Sequence, residues 1–336
     1  MRTLPALVSA AIAWLAAVPA LVAQPGPPDY GYTWKTIGDP GNVAATQADF
    51  YHLEFPVGRV DYTYRMTQTE VTNTQWLEFV NAYSSVHPDV SRNDFGLTGA
   101  FIFDASTEPG RVDWQILPDA ENAAATMSWL YAARYVNWLQ NGKSMTPAAF
   151  ESGVYDMSTF HNNGDFTWRG NTTRAAGASF WIPSFDEWTK AMHFDPNRYG
   201  PNQPGYWLYE NSSDSLPVGG LPGTPGAQTS AYHDAPYLLP VGAYPDQQSP
   251  WGLLDGSGGV AEYLDGWHNF AFTRGTFIGS DTAYFTDRLD FIDYISADDQ
   301  FLTGLRLASA VPAPGTMGVT FLGLAMLVQG PRRRVS

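Results

Sequence analysis

The chain contains no cysteine in 336 residues. It therefore has no disulfide, no thiolate nucleophile and no soft sulfur ligand for a metal. Outside the cytosol the chain is not stapled by disulfides. Basic residues are scarce as well: 18 Lys and Arg stand against 33 Asp and Glu, a net charge of −15. So acidic a surface repels phosphate backbones, which argues against charge-driven nucleic-acid binding, and it attracts divalent cations. Charged residues make up only 15% of the chain and apolar residues 44%. That balance supports a buried core rather than disorder. The common catalytic signatures are missing too. There is no Gly-x-x-x-x-Gly-Lys phosphate loop and no His-Glu-x-x-His, and Gly256-Ser257-Gly258 lacks the spacing of a nucleophile elbow. The histidines, at 52, 87, 161, 193, 233 and 268, stand alone without metal-ligand spacing. Carboxylates pair everywhere in so acidic a chain, so none of them marks glycoside hydrolysis.

Turn formers and aromatics are abundant. With 32 Gly and 25 Pro, much of the chain reads as loops and turns. Aromatics reach 15%, including 12 Trp, and at that density they build either a core or a binding surface. Trp181, Trp251, Trp267, Tyr263 and Phe277 are candidates for such a surface, with burial in the core as the plainer reading.

The two ends read as addresses. Arg2 precedes an apolar run from Leu4 to Ala23, with small residues at Ala20 and Ala23. Residues 1–23 therefore read as a secretory signal peptide, or as an anchor helix if uncleaved. At the other end, Val311-Pro312-Ala313-Pro314 forms a hinge, Gly315 to Gly330 is mostly apolar, and Pro331-Arg332-Arg333-Arg334 is basic. This three-part tail resembles the PEP-CTERM sorting signal of Gram-negative bacteria, with Ala313 where that signal has Glu. The resemblance implies an exosortase-type partner, membrane association through the apolar segment, and a place in the bacterial cell envelope or outside it. A plain tail anchor is the simpler reading.

Residues 24–310 read as one domain, followed by the sorting segment 311–336. Three helices are predicted, over about 73–83, 129–140 and 185–194. Thr72 with Gln75 and Ser184 with Glu187 form capping boxes, and Ser128 caps the middle helix. Short strands are expected at Tyr62–Met66, Phe180–Ile182, Phe277–Gly279 and Leu305–Leu307, and a long loop over 200–235. Few helices, short strands and much coil indicate an α+β fold of low regular content.

Five segments, in order, resemble the formylglycine-generating enzyme family, the sulfatase-modifying factor domains. They begin with Tyr64-Arg65-Met66-Thr67-Gln68-Thr69-Glu70-Val71-Thr72-Asn73 leading into Trp76, and Met127-Ser128-Trp129 opening a helix. Next come Trp181-Ile182-Pro183-Ser184-Phe185-Asp186-Glu187-Trp188, and Pro240-Val241-Gly242 joined to Trp251-Gly252-Leu253-Leu254-Asp255-Gly256-Ser257-Gly258-Gly259-Val260-Ala261-Glu262-Tyr263. Arg274-Gly275 and Gly304-Leu305-Arg306 close the series. The resemblance implies a C-type-lectin-like fold with small twisted sheets, about three helices and long loops.

It also sets up two chemical expectations. Enzymes of this family oxidise a sulfatase cysteine with copper held by two cysteines, which would fall between Arg274 and Gly304. Here 276–303 holds neither Cys nor His, so a thiolate copper site is excluded and no catalytic residue is assigned. The resemblance further places calcium on the loop from Asp255 to Glu262, with Asp255 and Glu262 side chains and Gly258 and Val260 carbonyls as ligands. These are hard oxygen donors on a tight turn and suit a structural calcium; a Gly-rich turn with solvated acids is the plainer reading. The acids Asp281, Asp287, Asp290, Asp293, Asp298 and Asp299 read as a solvated loop, or as a recognition loop for a cationic or hydroxyl-rich ligand. The expected function is a non-catalytic binding or structural module for polysaccharide or surface protein. The alternative is a divergent oxidoreductase of the family or an accessory to sulfatases.

Overall fold

The computed structural model describes residues 26–53, 55–162, 168–230, 238–267, 271–274, 287–290, 293–295 and 303–312. Residues 1–25, residues 313–336 and the expected strand Phe277–Gly279 lie outside the described residues.

Helix α1 runs Asn73–Val86, and its capping box closes as expected: Thr72 accepts from the Gln75 N–H, and the Gln75 side chain accepts from the Thr72 N–H at 2.9 Å. Helix α2 is a single turn, Phe95–Thr98, capped by Asp94. Helix α3 spans Trp129–Gln140 behind the Ser128 cap. Helix α4, Pro147–Glu151, starts on a proline preset for the first turn. Helix α5, Phe185–His193, carries the second capping box, on Ser184 and Glu187. The three long helices fall where their periodicity and caps put them. The two short ones lack enough residues to show a period.

The first four-stranded sheet is antiparallel throughout, in the order 34–37, 64–67, 308–310, 180–181. The last strand thus lies in the centre, beside one of the first. The second sheet has the order 293–295, 271–274, 261–267, 303–304, with its final pair parallel. Three two-stranded ribbons complete the regular structure among the described residues. This is the α+β architecture expected, with small sheets between long loops. The strand expected at Leu305–Leu307 is instead the link between strands 303–304 and 308–310. There the chain leaves one sheet and enters the other, and Arg306 turns inward. The stretch 200–230 is mostly loop, except that Gly205–Tyr206 pairs with Phe194–Asp195.

The main core lies between α1, α3 and the first sheet. Trp76, Phe79, Tyr135, Trp138 and Phe150 pack ring against ring, with centroids 4.7–6.2 Å apart. Most of the aromatics proposed as a surface join this interior: Trp181 and Tyr263 are buried and Trp251 is half-buried against the core. Trp267 and Phe277 have no described side chain. A smaller cluster, Ala45, Leu53, Val57, Phe194, Tyr206 and Leu289, lies apart from it.

One buried side chain pins the loop after α4. Asn137, on α3, donates to the carbonyls of Phe150 (3.0 Å) and Tyr155 (2.8 Å) and accepts from the N–H groups of Val154 (2.8 Å) and Tyr155 (2.9 Å). A leucine there would keep the volume and orphan four buried backbone groups. Asn137→Leu is therefore expected to cost at least about 3 kcal/mol in urea unfolding. A cost under about 1 kcal/mol would mean the loop re-pairs with water.

Candidate functional site

The site forms where three distant segments meet: the strand 64–67 with its exit to Glu70, the turn 254–262, and the crossover at Arg306. The Arg306 side chain is fully buried. Its Nη2 donates to Glu262 Oε1 at 2.8 Å and its Nε reaches both carboxylate oxygens at 3.1 and 3.2 Å. Its Nη1 donates to the carbonyls of Thr67 (3.0 Å) and Gln68 (2.6 Å), and Nη2 also donates to that of Leu254 (2.8 Å). Every guanidinium N–H is used, which a lysine ammonium with three donors cannot match. Glu262 takes a further hydrogen bond from the Trp188 indole of α5. Both oxygens of Glu262 are thus engaged from inside the protein.

Two other acids face each other beside this pair. Asp255 sits at φ +57° in the turn, and its Oδ2 accepts from the Gly242 N–H at 2.5 Å. Glu70 is buried and lines the same cavity as Asp255. Its Oε2 has no hydrogen-bond partner, and its cationic neighbour Arg306 is 3.7 Å away. Burial first, and then the charge of Asp255, pushes the Glu70 carboxyl well above the ordinary range. Burial likewise raises Asp255, to about 6, against the opposing pull of the Gly242 N–H and Arg306. Two desolvated carboxylates with one orphaned oxygen form a site short of positive charge.

These acids line a cavity of about 30 Å³ with Ser230, Tyr244, Ser257, Gly258, Gly259 and Val260. That space suffices for an ion or a water. The turn is shaped by glycine: Gly258 has φ +81°, and a Cβ there would lie 2.5 Å from the Ser230 hydroxyl oxygen. Ser257 donates to Asp287 at 2.6 Å, and Gly259 N–H donates to Ser230 at 3.1 Å. The structure therefore gathers Asp255, Gly258 and Val260 around one cavity and directs the Glu262 carboxylate to Arg306 and Trp188. Glu70, which sequence reasoning did not single out, takes the facing position. No local signal marks it, because its partner lies 185 residues away. Among the described residues, no group of three or more His, Cys, Asp or Glu converges as a metal cage. Of the acids read as a solvated or a recognition loop, Asp287 is buried and Asp290 is half-buried, its carboxylate paired with Arg288 at 2.8 Å.

Residues 37–282 match the family model of the sulfatase-modifying factor enzyme 1-like domain. The chain belongs to the sulfatase-modifying factor family. Solved structures similar in fold include CarF, at 17% identity and TM-score 0.46 over 84% of this chain and 99% of CarF. Treponema denticola variable protein 1 aligns at 15% identity and TM-score 0.46, over 83% of this chain and 95% of that one. PvdO from Pseudomonas aeruginosa aligns at 15% identity and TM-score 0.41, over 83% and 92%. Comparison with curated proteins finds no match. For this family member, the donor set does not fit thiolate-held copper, since the chain has no cysteine at any position. It does offer hard oxygen ligands at the Glu70–Asp255 cavity.

Arg306→Lys keeps the charge and loses the fork. It is expected to lower unfolding stability by about 3 kcal/mol, within the range for a broken buried ion pair. Stability within about 0.5 kcal/mol of the parent would show that the charge alone suffices.

Proposed function

We propose that this sulfatase-modifying factor domain is a non-catalytic binding module, exported and held at the bacterial envelope, that recognises a polysaccharide or a surface protein. The observation that carries the reading is the absence of cysteine from the whole chain. The family's oxidative chemistry, as the resemblance implies it, requires two thiols for copper, and no His or Cys occupies 276–303 in their stead. What remains is a scaffold of long loops on a rigid aromatic core. Such scaffolds concentrate binding residues on loops. Export rests on the signal-like residues 1–23 and retention on the tail 311–336, whose three parts suit exosortase-type processing.

Calcium has a structural role in this reading. Asp255 and Glu70 would hold it, with main-chain oxygens of Gly258 and Val260, while Glu262 anchors the turn through Arg306. A divalent cation would neutralise the mutual repulsion of the two acids and satisfy the orphaned Glu70 oxygen.

The test is a glycan array probed with the full chain in calcium and again in chelator, with melting temperature followed in parallel. We expect glycan binding, and a rise of several degrees in melting temperature on adding calcium. Glu70→Gln with Asp255→Asn is expected to abolish that rise. Equal melting in calcium and chelator would remove the ion. No binding on the array, together with no captured surface protein, would remove the binding module.

A further inference from the structure

A second cavity shares no lining residue with the one at the acid pair, and the family resemblance assigns nothing to it. It has a volume of about 440 Å³ and is lined by segments 43–51, 198–208, 214 and 288–290. That is the size of a small-molecule site, and its walls are mixed rather than apolar. Two tyrosines at its edge are left in water: Tyr51 is 81% exposed and Tyr199 66% exposed. Four of its charged groups form two ion pairs. Arg198 meets Asp214 at 2.5 Å, and Arg288 meets both oxygens of Asp290 at 2.8 and 2.9 Å.

The cleft is built to hold its shape. Its floor is Tyr206, part of the smaller apolar cluster, whose hydroxyl is tied to Asn42 at 2.8 Å and to the Gly58 carbonyl at 2.9 Å. Arg198 is held between rings, its guanidinium carbon 4.9 Å from the Tyr199 centroid and 4.6 Å from that of Trp207. Gly205 makes room for this: a Cβ there would lie 2.6 Å from the Tyr199 ring and 2.9 Å from the Arg198 side chain. Tyr199 is thus exposed on one face and supported on the other, at little further entropic cost to a ligand.

The chemistry selects the ligand. Both arginines already hold carboxylates, and with Asp49 the lining acids outnumber the bases. An anion would meet net negative charge. A neutral, hydroxyl-rich ring would not: its apolar face covers a tyrosine, and its hydroxyls find donors and acceptors side by side on each Arg–Asp pair.

We propose that this cleft is the carbohydrate-recognition site of the protein. It takes pyranose rings of a neutral polysaccharide, with Tyr199 and Tyr51 as stacking platforms and the Arg198–Asp214 and Arg288–Asp290 pairs reading the hydroxyls. The assignment rests on the binding-module reading and gives it a location and a ligand class. The experiment is calorimetric titration of the full chain with cello-, malto- and manno-oligosaccharides, repeated for Tyr199→Ala and Tyr51→Ala. Phe103→Ala, an exposed ring on a separate hairpin, serves as control. Both tyrosines are exposed, so the variants are expected to melt with the parent. We expect binding of at least one neutral oligosaccharide, weakened tenfold or more by Tyr199→Ala and untouched by Phe103→Ala. Binding that survives both tyrosine substitutions would overturn the cleft and leave the module intact. Failure with all three neutral series, alongside binding of charged glycans or a protein on the array, would overturn the ligand class alone. Failure with every probe would overturn both readings.

Discussion

The fold turns on one buried ion pair. Arg306 and Glu262 have almost no contact with water, and taking two charges out of water costs several kcal/mol per ion unless geometry and hydrogen bonds repay it. Here they do so through a complete set of donors. Arg306 reaches the exit of the 64–67 strand, the start of the glycine turn and the strand that follows it. It thereby joins the two four-stranded sheets at the crossover from 303–304 to 308–310. The 64–67 strand lies beside 308–310 in the middle of its sheet, so the beginning and the end of the domain are fixed by the same contact. The pair also settles how the nearby acids divide their work. Because Glu262 is spent on Arg306 and Trp188, the carboxylates left facing the cavity are Asp255 and Glu70.

How much of this was legible in the chain depends on distance along it. The capping boxes at Thr72 and Ser184 specify helix starts through contacts three residues apart, and α1 and α5 begin where they indicate. The Asp255 turn, with its run of glycines, could likewise be placed from a short motif. Glu70 could not, because its meaning comes from Asp255 across the fold. Leu305–Leu307 carries strand-forming residues, but Arg306 between the leucines must face its buried partner, and that demand overrides local preference. Trp181 and Tyr263 read equally well as surface or core by composition, and burial decided against the surface. The cleft at Tyr51 and Tyr199 left no trace in spacing, since its walls come from four separate segments.

Membership of the sulfatase-modifying factor family and the lack of cysteine together frame the functional account. The scaffold keeps the helices, the crossover arginine and the glycine turn, and dispenses with the sulfur ligands that the resemblance ties to oxidation. In the proposed reading, the firm core carries an acid-lined turn and a tyrosine-rimmed cleft as the parts of a binding module. Fold alone does not carry that reading; it rests on the missing thiols and the hard oxygen donors.

The claim that the domain binds rather than oxidises is tested most directly by mass spectrometry of a cysteine-containing sulfatase peptide. The peptide is incubated with the full chain, copper, a thiol reductant and oxygen. The account predicts that the cysteine stays a cysteine. Conversion to formylglycine above the rate seen without the protein would contradict it.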